Sequence, residues 1–314
     1  MKGLTFENDA FSFRDDLPKN KPDTGELLVK VVSAAVYQDD EAVARGDLEE
    51  LAGRHTAPVR SGFDFAGIVE EPAEDFAKGD RVFGYVDIMN NAHWAHQEFV
   101  PIRPDCVARF PSNLSFAEAA TIPMAGMTVL KGLRDVALAA PGETVLVIGG
   151  SGALGPLAIQ FAKILELDVA AMAGPGKEAL LTSLGASRVY DYRATKMADI
   201  TESYDIILDL STQYAFADIK HLLSENGRFV PANPFKFPED LAPDSEAANH
   251  IRELLIVKGE TADLDVMADW LQTGKVKTFV DSVFPAERFA EAFARLEERS
   301  HFVGRVILNF SDQS

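Results

Sequence analysis

Residues 144–165 read TVLVIGGSGALGPLAIQFAKIL. Val145-Leu146-Val147-Ile148 is a short apolar run rich in β-branched residues, which suits a strand buried on both faces. Leu154, Leu157, Ala158, Phe161, Ala162 and Leu165 then recur at helical spacing and make one apolar face. Pro156 fits the first turn of that helix, where its missing N–H leaves no bond unmade. Between strand and helix lies Gly150-Ser151-Gly152-Ala153-Leu154-Gly155, a complete G-x-G-x-x-G. Its glycines permit a tight turn, close approach of the backbone to a pyrophosphate, and close helix–strand packing. The N–H groups and dipole at the helix start favour the phosphates. A turn with no ligand has no need of three glycines at this spacing, since each one lowers local stability. The stretch predicts a dinucleotide-binding unit.

Working outward, residues 1–110 read as mostly β. Strands are expected at 27–32, 65–70, 79–86 and 97–102, with a short helix and loop at 43–53. Short strands between Gly, Pro and Asp turns suggest a compact barrel-like domain. The texture changes after Pro111. Ser115 is a good N-cap, and Glu118 three residues later completes a capping box. Helical patterns at 124–137, 153–165, 177–184 and 217–223 then alternate with apolar runs at 145–148, 169–173, 188–192, 206–210 and 228–231. Repeated β-α-β units imply a parallel sheet with helices on both faces. A sixth strand is expected at 254–258 and a helix at 262–271. The segment after residue 278 changes again: extended at 280–283, an amphipathic helix at 286–298 and a strand at 305–308. It reads as a return to the first domain. The resulting division is 1–112, 113–278 and 279–314.

The chain has 314 residues, enough for two domains. Its 49 acidic residues against 30 basic give a net charge of -19, which argues against nucleic acid and anionic membrane as partners. Cys106 is the single cysteine, so neither an intrachain disulfide nor a cysteine-rich metal site is available. The first residues, MKGLTFENDAFSFRDD, contain no apolar signal core. No stretch approaches the ~18 apolar residues of a membrane span. A cytoplasmic location is expected.

Sheets that bind NAD place a carboxylate about 20 residues past the glycines, on the ribose hydroxyls. Here the second strand of the unit ends Ala173-Gly174-Pro175-Gly176-Lys177, with no acid. Nothing there repels a 2′-phosphate, and Lys177 can pair with it. Tyr192, at the end of the next strand, can flank the same phosphate or the adenine. NADPH is therefore the expected cofactor, with Gly150, Ser151, Gly152, Ala153, Leu154, Gly174, Lys177 and Tyr192 around it.

Several stretches together resemble the zinc-free quinone oxidoreductase branch of the medium-chain dehydrogenase/reductase superfamily. They are GFDFAGIVE (62–70), GDRVFGYV (79–86), AATIPMAGMTVLKGL (119–133), VLVIGGSGALG (145–155), LGASRVYDYR (184–193), DIILDLST (205–212) and HFVGRVIL (301–308). The resemblance spans nearly the whole chain. It implies a GroES-like, mainly β catalytic domain, split in sequence around a Rossmann-type doubly wound parallel sheet, with the cofactor in the cleft between them. Carried over by position, Thr128 touches the nicotinamide, Ser151 to Leu154 meet the pyrophosphate, and Ser211 and Asn233 lie along the ribose and nicotinamide. Arg305 stands where a lysine near the cofactor is common. Homodimerisation is the family expectation, with 254–258 as the pairing edge.

The zinc-dependent branch needs a Cys where this chain has Tyr37, and a His where it has Phe63 within Gly62-Phe63-Asp64. A zinc alcohol dehydrogenase is excluded on these residues. His93-Trp94-Ala95-His96 forms an H-x-x-H without a third ligand, and no metal is expected. The quinone-reductase branch usually carries Asn-Pro-x-Asp in its first catalytic loop, where this chain has Tyr37-Gln38-Asp39-Asp40. Asp40 matches and the Asn and Pro are replaced. Tyr37 and Asp40 are the candidate catalytic residues. Tyr37 either donates a hydrogen bond or proton to a carbonyl oxygen or fills the pocket wall. Tyr37, Phe63, Tyr85, Trp94 and Met124 suggest a small apolar or planar substrate.

The expected activity is reduction of a quinone or an activated alkene or carbonyl by NADPH. Tyr192-x-x-x-Lys196 matches the short-chain dehydrogenase pair, but it follows a strand instead of lying on a later helix, which argues against that class. A third reading, motivated by the loss of the Asn-Pro pair, is an NADPH-binding redox sensor or structural protein without turnover.

Overall fold

The computed structural model describes residues 1–47, 58–59, 61–87, 93–233, 236–252, 260–298 and 303–311. In chain order the strands are β1 (Gly3–Glu7), β2 (Ala10–Arg14), β3 (Leu27–Ala35), β4 (Asp64–Glu71), β5 (Arg81–Tyr85), β6 (Phe99–Ile102), β7 (Val107–Arg109), β8 (Thr144–Ile148), β9 (Asp168–Ala173), β10 (Arg188–Asp191), β11 (Tyr204–Asp209), β12 (Leu223–Pro231), β13 (Val280–Pro285) and β14 (Arg305–Asn309). The α-helices are α1 (Asp40–Arg45), α2 (Phe116–Ala119), α3 (Pro123–Lys131), α4 (Gly155–Ile164), α5 (Glu178–Ser183), α6 (Phe216–Ile219), α7 (Thr261–Gln272) and α8 (Phe289–Glu297).

Two compact units result. The first is Met1–Met124 with Lys258–Ser314, and the second is Ala125–Val257. These bounds fall later than 112 and earlier than 278. The reason is packing. α2 lies on β3 and β4, and α7 lies on β7, so both helices belong to the first unit although each reads like a helix of a β-α-β repeat.

The first unit holds a two-stranded β1-β2 sheet and a seven-stranded sheet ordered β13-β14-β3-β4-β5-β7, with β6 also pairing β3. β3 is the hub. Leu27, Val29 and Val31 alternate into one core with Phe65, Val82, Val100, Val306 and Leu308. Such a two-faced strand needs apolar residues at nearly every position, as LLVKVV supplies. β14 pairs antiparallel with the end of β3, Ile307 against Ala35, so the late strand completes the early sheet.

The second unit is a five-stranded sheet ordered β10-β9-β8-β11-β12, every neighbouring pair parallel. The chain order reverses between β8 and β11, the switch point at which open α/β sheets take ligands beyond their strand ends. Leu146, Ile148, Met172, Ile207, Phe216 and Phe229 form the core of one face. A parallel bridge joins Phe229 to Ile251. The strand expected at 254–258 lies outside the described residues, as does 48–53 of the expected 43–53 helix. The described part of that helix starts earlier, at Asp40, and closes on Gly46, whose φ of 94° is left-handed.

Candidate functional site

In the second unit the glycine stretch performs the turn from β8 into α4. Gly149 and Gly150 N–H both donate to the Met172 carbonyl of β9, at 3.0 and 2.8 Å, and Gly152 N–H donates to the Gly149 carbonyl at 3.0 Å. A Cβ on Gly155 would lie 2.3 Å from the Gly149 oxygen and the Gly150 carbonyl carbon. Backbone cannot yield there, so this position admits only glycine. Ser151 to Leu154 are half-buried in front of α4, whose residues from Gly155 to Ala162 are buried. An open backbone loop ahead of a helix N-terminus suits a pyrophosphate.

The loop after β11 meets the glycine turn at the switch point: an added Cβ on Gly149 would come within 3.2 Å of the Ser211 nitrogen. Asp209 builds that loop. Its Oδ1 accepts from Ser211 N at 2.8 Å, Ser211 Oγ at 2.6 Å and Thr212 N at 3.1 Å. Thr212 adopts a left-handed φ of 54°. Ser211 therefore donates its hydroxyl proton inward. Its oxygen accepts from Gln213 N. Asn233 sits exposed just past β12, beside the same edge. Asp209 was absent from the sequence candidates. Its signal was an acid closing the apolar run Ile206–Leu208, which a strand-end carboxylate with three donors explains.

At the tip of β9, Gly174 is the floor for the Tyr192 ring, which a Cβ would touch at 3.4 Å. Tyr192 N–H donates to the Ala173 carbonyl, and the side chain is 51% exposed, free to meet a planar base. Lys177 precedes α5 with no side-chain capping bond. The stretch Ala173 to Lys177 carries no carboxylate. Gly150, Ser151, Gly152, Ala153, Leu154, Gly174, Lys177, Tyr192, Ser211 and Asn233 thus share the C-terminal edge of one sheet, and they fit a dinucleotide. Thr128 is half-buried on α3, away from that edge in sequence.

In the first unit the loop after β3 carries Tyr37. Its hydroxyl donates to Asp64 Oδ2 at the start of β4. Asp64 Oδ1 accepts from Met124 N at 2.8 Å, in the first turn of α3. The Arg305 guanidinium lies 3.8 Å above the Tyr37 ring. Tyr37 is 4%, Asp64 0% and Arg305 5% exposed. Arg305 Nε and Nη2 find no hydrogen-bond partner among the described residues. Burial lifts the Asp64 carboxyl to about 7, although the Tyr37 hydrogen bond and the Arg305 charge pull it down. Burial likewise raises the Tyr37 hydroxyl well above its ordinary value, against the pull of Arg305.

Asp40 does a different job. Its Oδ2 accepts from Tyr37 N and its Oδ1 from Gly62 N, both at 2.7 Å. Both oxygens are tied to backbone, and the residue is wholly buried. This carboxylate holds the Tyr37 loop to the strand carrying Asp64. Those two bonds occupy one backbone donor on each oxygen of Asp40, the second of the two residues expected to be catalytic. Gly62 has a φ of 92°, and a Cβ there would strike His96 at 2.5 Å. His96 is fully engaged: Nε2 bonds the Ala35 carbonyl and Nδ1 bonds Ser61 Oγ, each at 2.9 Å. Phe63 packs edge-on against both Tyr37 and Trp94, with centroids 5.2 and 5.6 Å away. Among the described residues no three His, Cys, Asp or Glu side chains converge as metal ligands. Tyr37, Phe63 and the tied His96 offer zinc no donor set.

Two family models match the chain. "Alcohol dehydrogenase GroES-like domain" covers residues 23–130, and "Zinc-binding dehydrogenase" covers 184–308. A 2-methylene-furan-3-one reductase of Solanum lycopersicum is 30% identical over 297 residues, 90% of this chain and 71% of that protein. An NADPH-dependent alkenal/one oxidoreductase of Arabidopsis thaliana is 30% identical over 305 residues, 93% of this chain and 73% of that protein. The Homo sapiens quinone oxidoreductase is 26% identical over 316 residues, 96% and 94% of the two chains. The quinone oxidoreductase structure from Coxiella burnetii superposes with a TM-score of 0.85 over 99% of both chains at 24% identity, a likeness of fold. With its fold, its ordered motifs and its zinc-less residue set, this chain belongs to the medium-chain dehydrogenase/reductase superfamily of oxidoreductases, in the zinc-free quinone oxidoreductase-like branch.

Proposed function

We propose that the protein is an NADPH-dependent reductase of quinones or of activated alkenes and carbonyls. The observation that carries this reading is the ligand edge of the parallel sheet. A glycine cradle that only glycine can form stands beside a strand tip with Lys177 and Tyr192 and no carboxylate. The relatives named for quinones and alkenals support the acceptor class.

Bound nicotinamide supplies a hydride. The chain supplies the rest. Ser151 to Leu154 would hold the pyrophosphate, Lys177 would pair with the 2′-phosphate, and Ser211 and Asn233 would lie along the ribose. The resemblance assigns Thr128 and Arg305 to the nicotinamide end. Tyr37, edge-on to Phe63, gives the proton that completes reduction of the acceptor. A buried, mostly apolar surround keeps water from competing for that step.

The test is NADPH oxidation, with NADH alongside, against 1,4-benzoquinone and an alkyl enone. Turnover with NADPH preferred supports the reading, and the better acceptor sets the substrate class. Tight NADPH binding with no turnover across a broad acceptor panel favours the sensor reading. One observation speaks for that alternative: the Tyr37 hydroxyl is already engaged by Asp64. Homodimerisation and a cytoplasmic location belong to the same proposal. Sedimentation at micromolar concentration checks the first: a monomer refutes it.

A further inference from the structure

We propose that Asp64 is the proton reservoir behind Tyr37, restoring to its hydroxyl the proton given to the substrate. The inference rests on the reductase reading above. Three observations carry it. The Tyr37 hydroxyl bonds to an Asp64 oxygen, both groups are buried, and a guanidinium lies over the tyrosine ring with two nitrogens unbonded. The other Asp64 oxygen accepts from Met124 N.

The direction of the hydrogen bond decides which form works. With Asp64 ionised, the Tyr37 proton points at Asp64. With Asp64 protonated, the carboxyl donates to the Tyr37 oxygen, and the hydroxyl proton is free to turn to a substrate. Once a hydride has reached the electron-poor carbon of an enone, the substrate is an enolate, reduced by two electrons. The Tyr37 O–H bond breaks and a C–H bond forms at the α carbon. The tyrosinate then takes the Asp64 proton: the carboxyl O–H breaks and the tyrosyl O–H re-forms. Asp64 recovers a proton from water after the product leaves. Between these steps Arg305 over the ring stabilises the negative tyrosinate.

The competent form is lost as Asp64 ionises, so reduction slows as pH rises through that ionisation. Among the described residues, the charged or titratable groups facing Asp64 are Tyr37 from the loop after β3, Arg305 from β14, Asp40 from α1 and Tyr85 from β5. Arg305 favours the ionised carboxylate and Asp40 opposes it. Burial is the largest influence and carries the ionisation to about 7.

The test is kcat/KM for NADPH-dependent reduction of an alkyl enone across neutral pH, in wild type, Asp64→Asn and Tyr37→Phe. Infrared spectra of the resting protein are read in parallel for a protonated carboxyl stretch. In wild type we expect kcat/KM to fall about tenfold per pH unit above about pH 7. Both variants should show a flat profile and a rate lowered about tenfold or more. The carboxyl band should fade over the same pH range in wild type and be missing in Asp64→Asn. A wild-type pH break that persists in Asp64→Asn overturns the reservoir, as does a wild type that turns over with a flat profile and no carboxyl band. If Asp64→Asn fails to fold, the wild-type profile and band, with Tyr37→Phe, decide. Absence of turnover with every acceptor overturns the reductase reading and the relay together, whereas a flat profile with turnover overturns the relay alone.

Discussion

The buried carboxylates set the sharpest expectations for single residues. Asp64 has its carboxyl raised in the folded protein. It binds its proton more tightly folded than unfolded, so its contribution to stability is full below the unfolded value of about 3.9 and is lost as pH rises toward about 7. Asp64→Asn removes that loss, and its melting temperature relative to wild type should be higher at pH 8 than at pH 5; thermal scans at both pH values check this. Asp40→Ala leaves two buried backbone N–H groups without an acceptor and should lower stability by about 2–5 kcal/mol, read by urea unfolding. Lys177→Ala should weaken NADPH about tenfold, near 1.4 kcal/mol, and leave NADH unchanged. Fluorescence titration with each nucleotide measures it. The glycine turn between β8 and α4 was legible because its geometry needs only local sequence. The partnership of Tyr37 with Asp64 and Arg305 was not, since the three are brought together from sequence positions far apart by the pairing of β3 with β4 and β14.

Among the elements, periodicity located most and misplaced some ends. The helix expected at 153–165 runs Gly155–Ile164, because Ala153 and Leu154 belong to the turn. The expected 124–137 helix loosens into a π-type turn at Gly132–Val136. The β1-β2 hairpin lies outside the expected strands, although Asn8-Asp9, with φ of 53° and 59°, is a good pair for a turn needing two left-handed residues. β7 has three residues and was too short to show a period. The capping box at Ser115 was legible and is present: Ser115 Oγ accepts from Glu118 N, and Glu118 accepts from Ser115 N. α2 has only four residues, so its cap matters. Ser115→Ala should destabilise the first unit by about 1 kcal/mol, seen as a shift in denaturant midpoint without a change in slope.

For the molecule as a whole, the alternation of strands and helices disclosed a doubly wound sheet. The division points were less legible. α2 and α7 carry ordinary helical patterns, and which sheet a helix covers depends on packing that no local pattern encodes. The net charge of -19 is a property of the entire chain. Like charges repel across the folded surface, and salt screens them over about 10 Å at 0.1 M. Melting temperature should therefore rise as potassium chloride is raised to about 0.5 M. A flat or falling curve would show that local ion pairs, such as Arg228 with Glu143, outweigh the general field.

The strand order of the first unit also fixes a sequence of events during synthesis. β3 emerges early, yet the neighbour that covers its end, β14, follows the whole of the second unit along the chain. The second unit is continuous and can fold as soon as it is made. Until residue 305 has left the ribosome, the Ser33–Ala35 end of β3 is open on one edge and Tyr37 lacks the arginine over its ring. The Tyr37–Asp64–Arg305 cluster is thus among the last parts of the protein to be assembled, and a nascent chain stalled before β14 would present a finished parallel sheet beside an incomplete first unit.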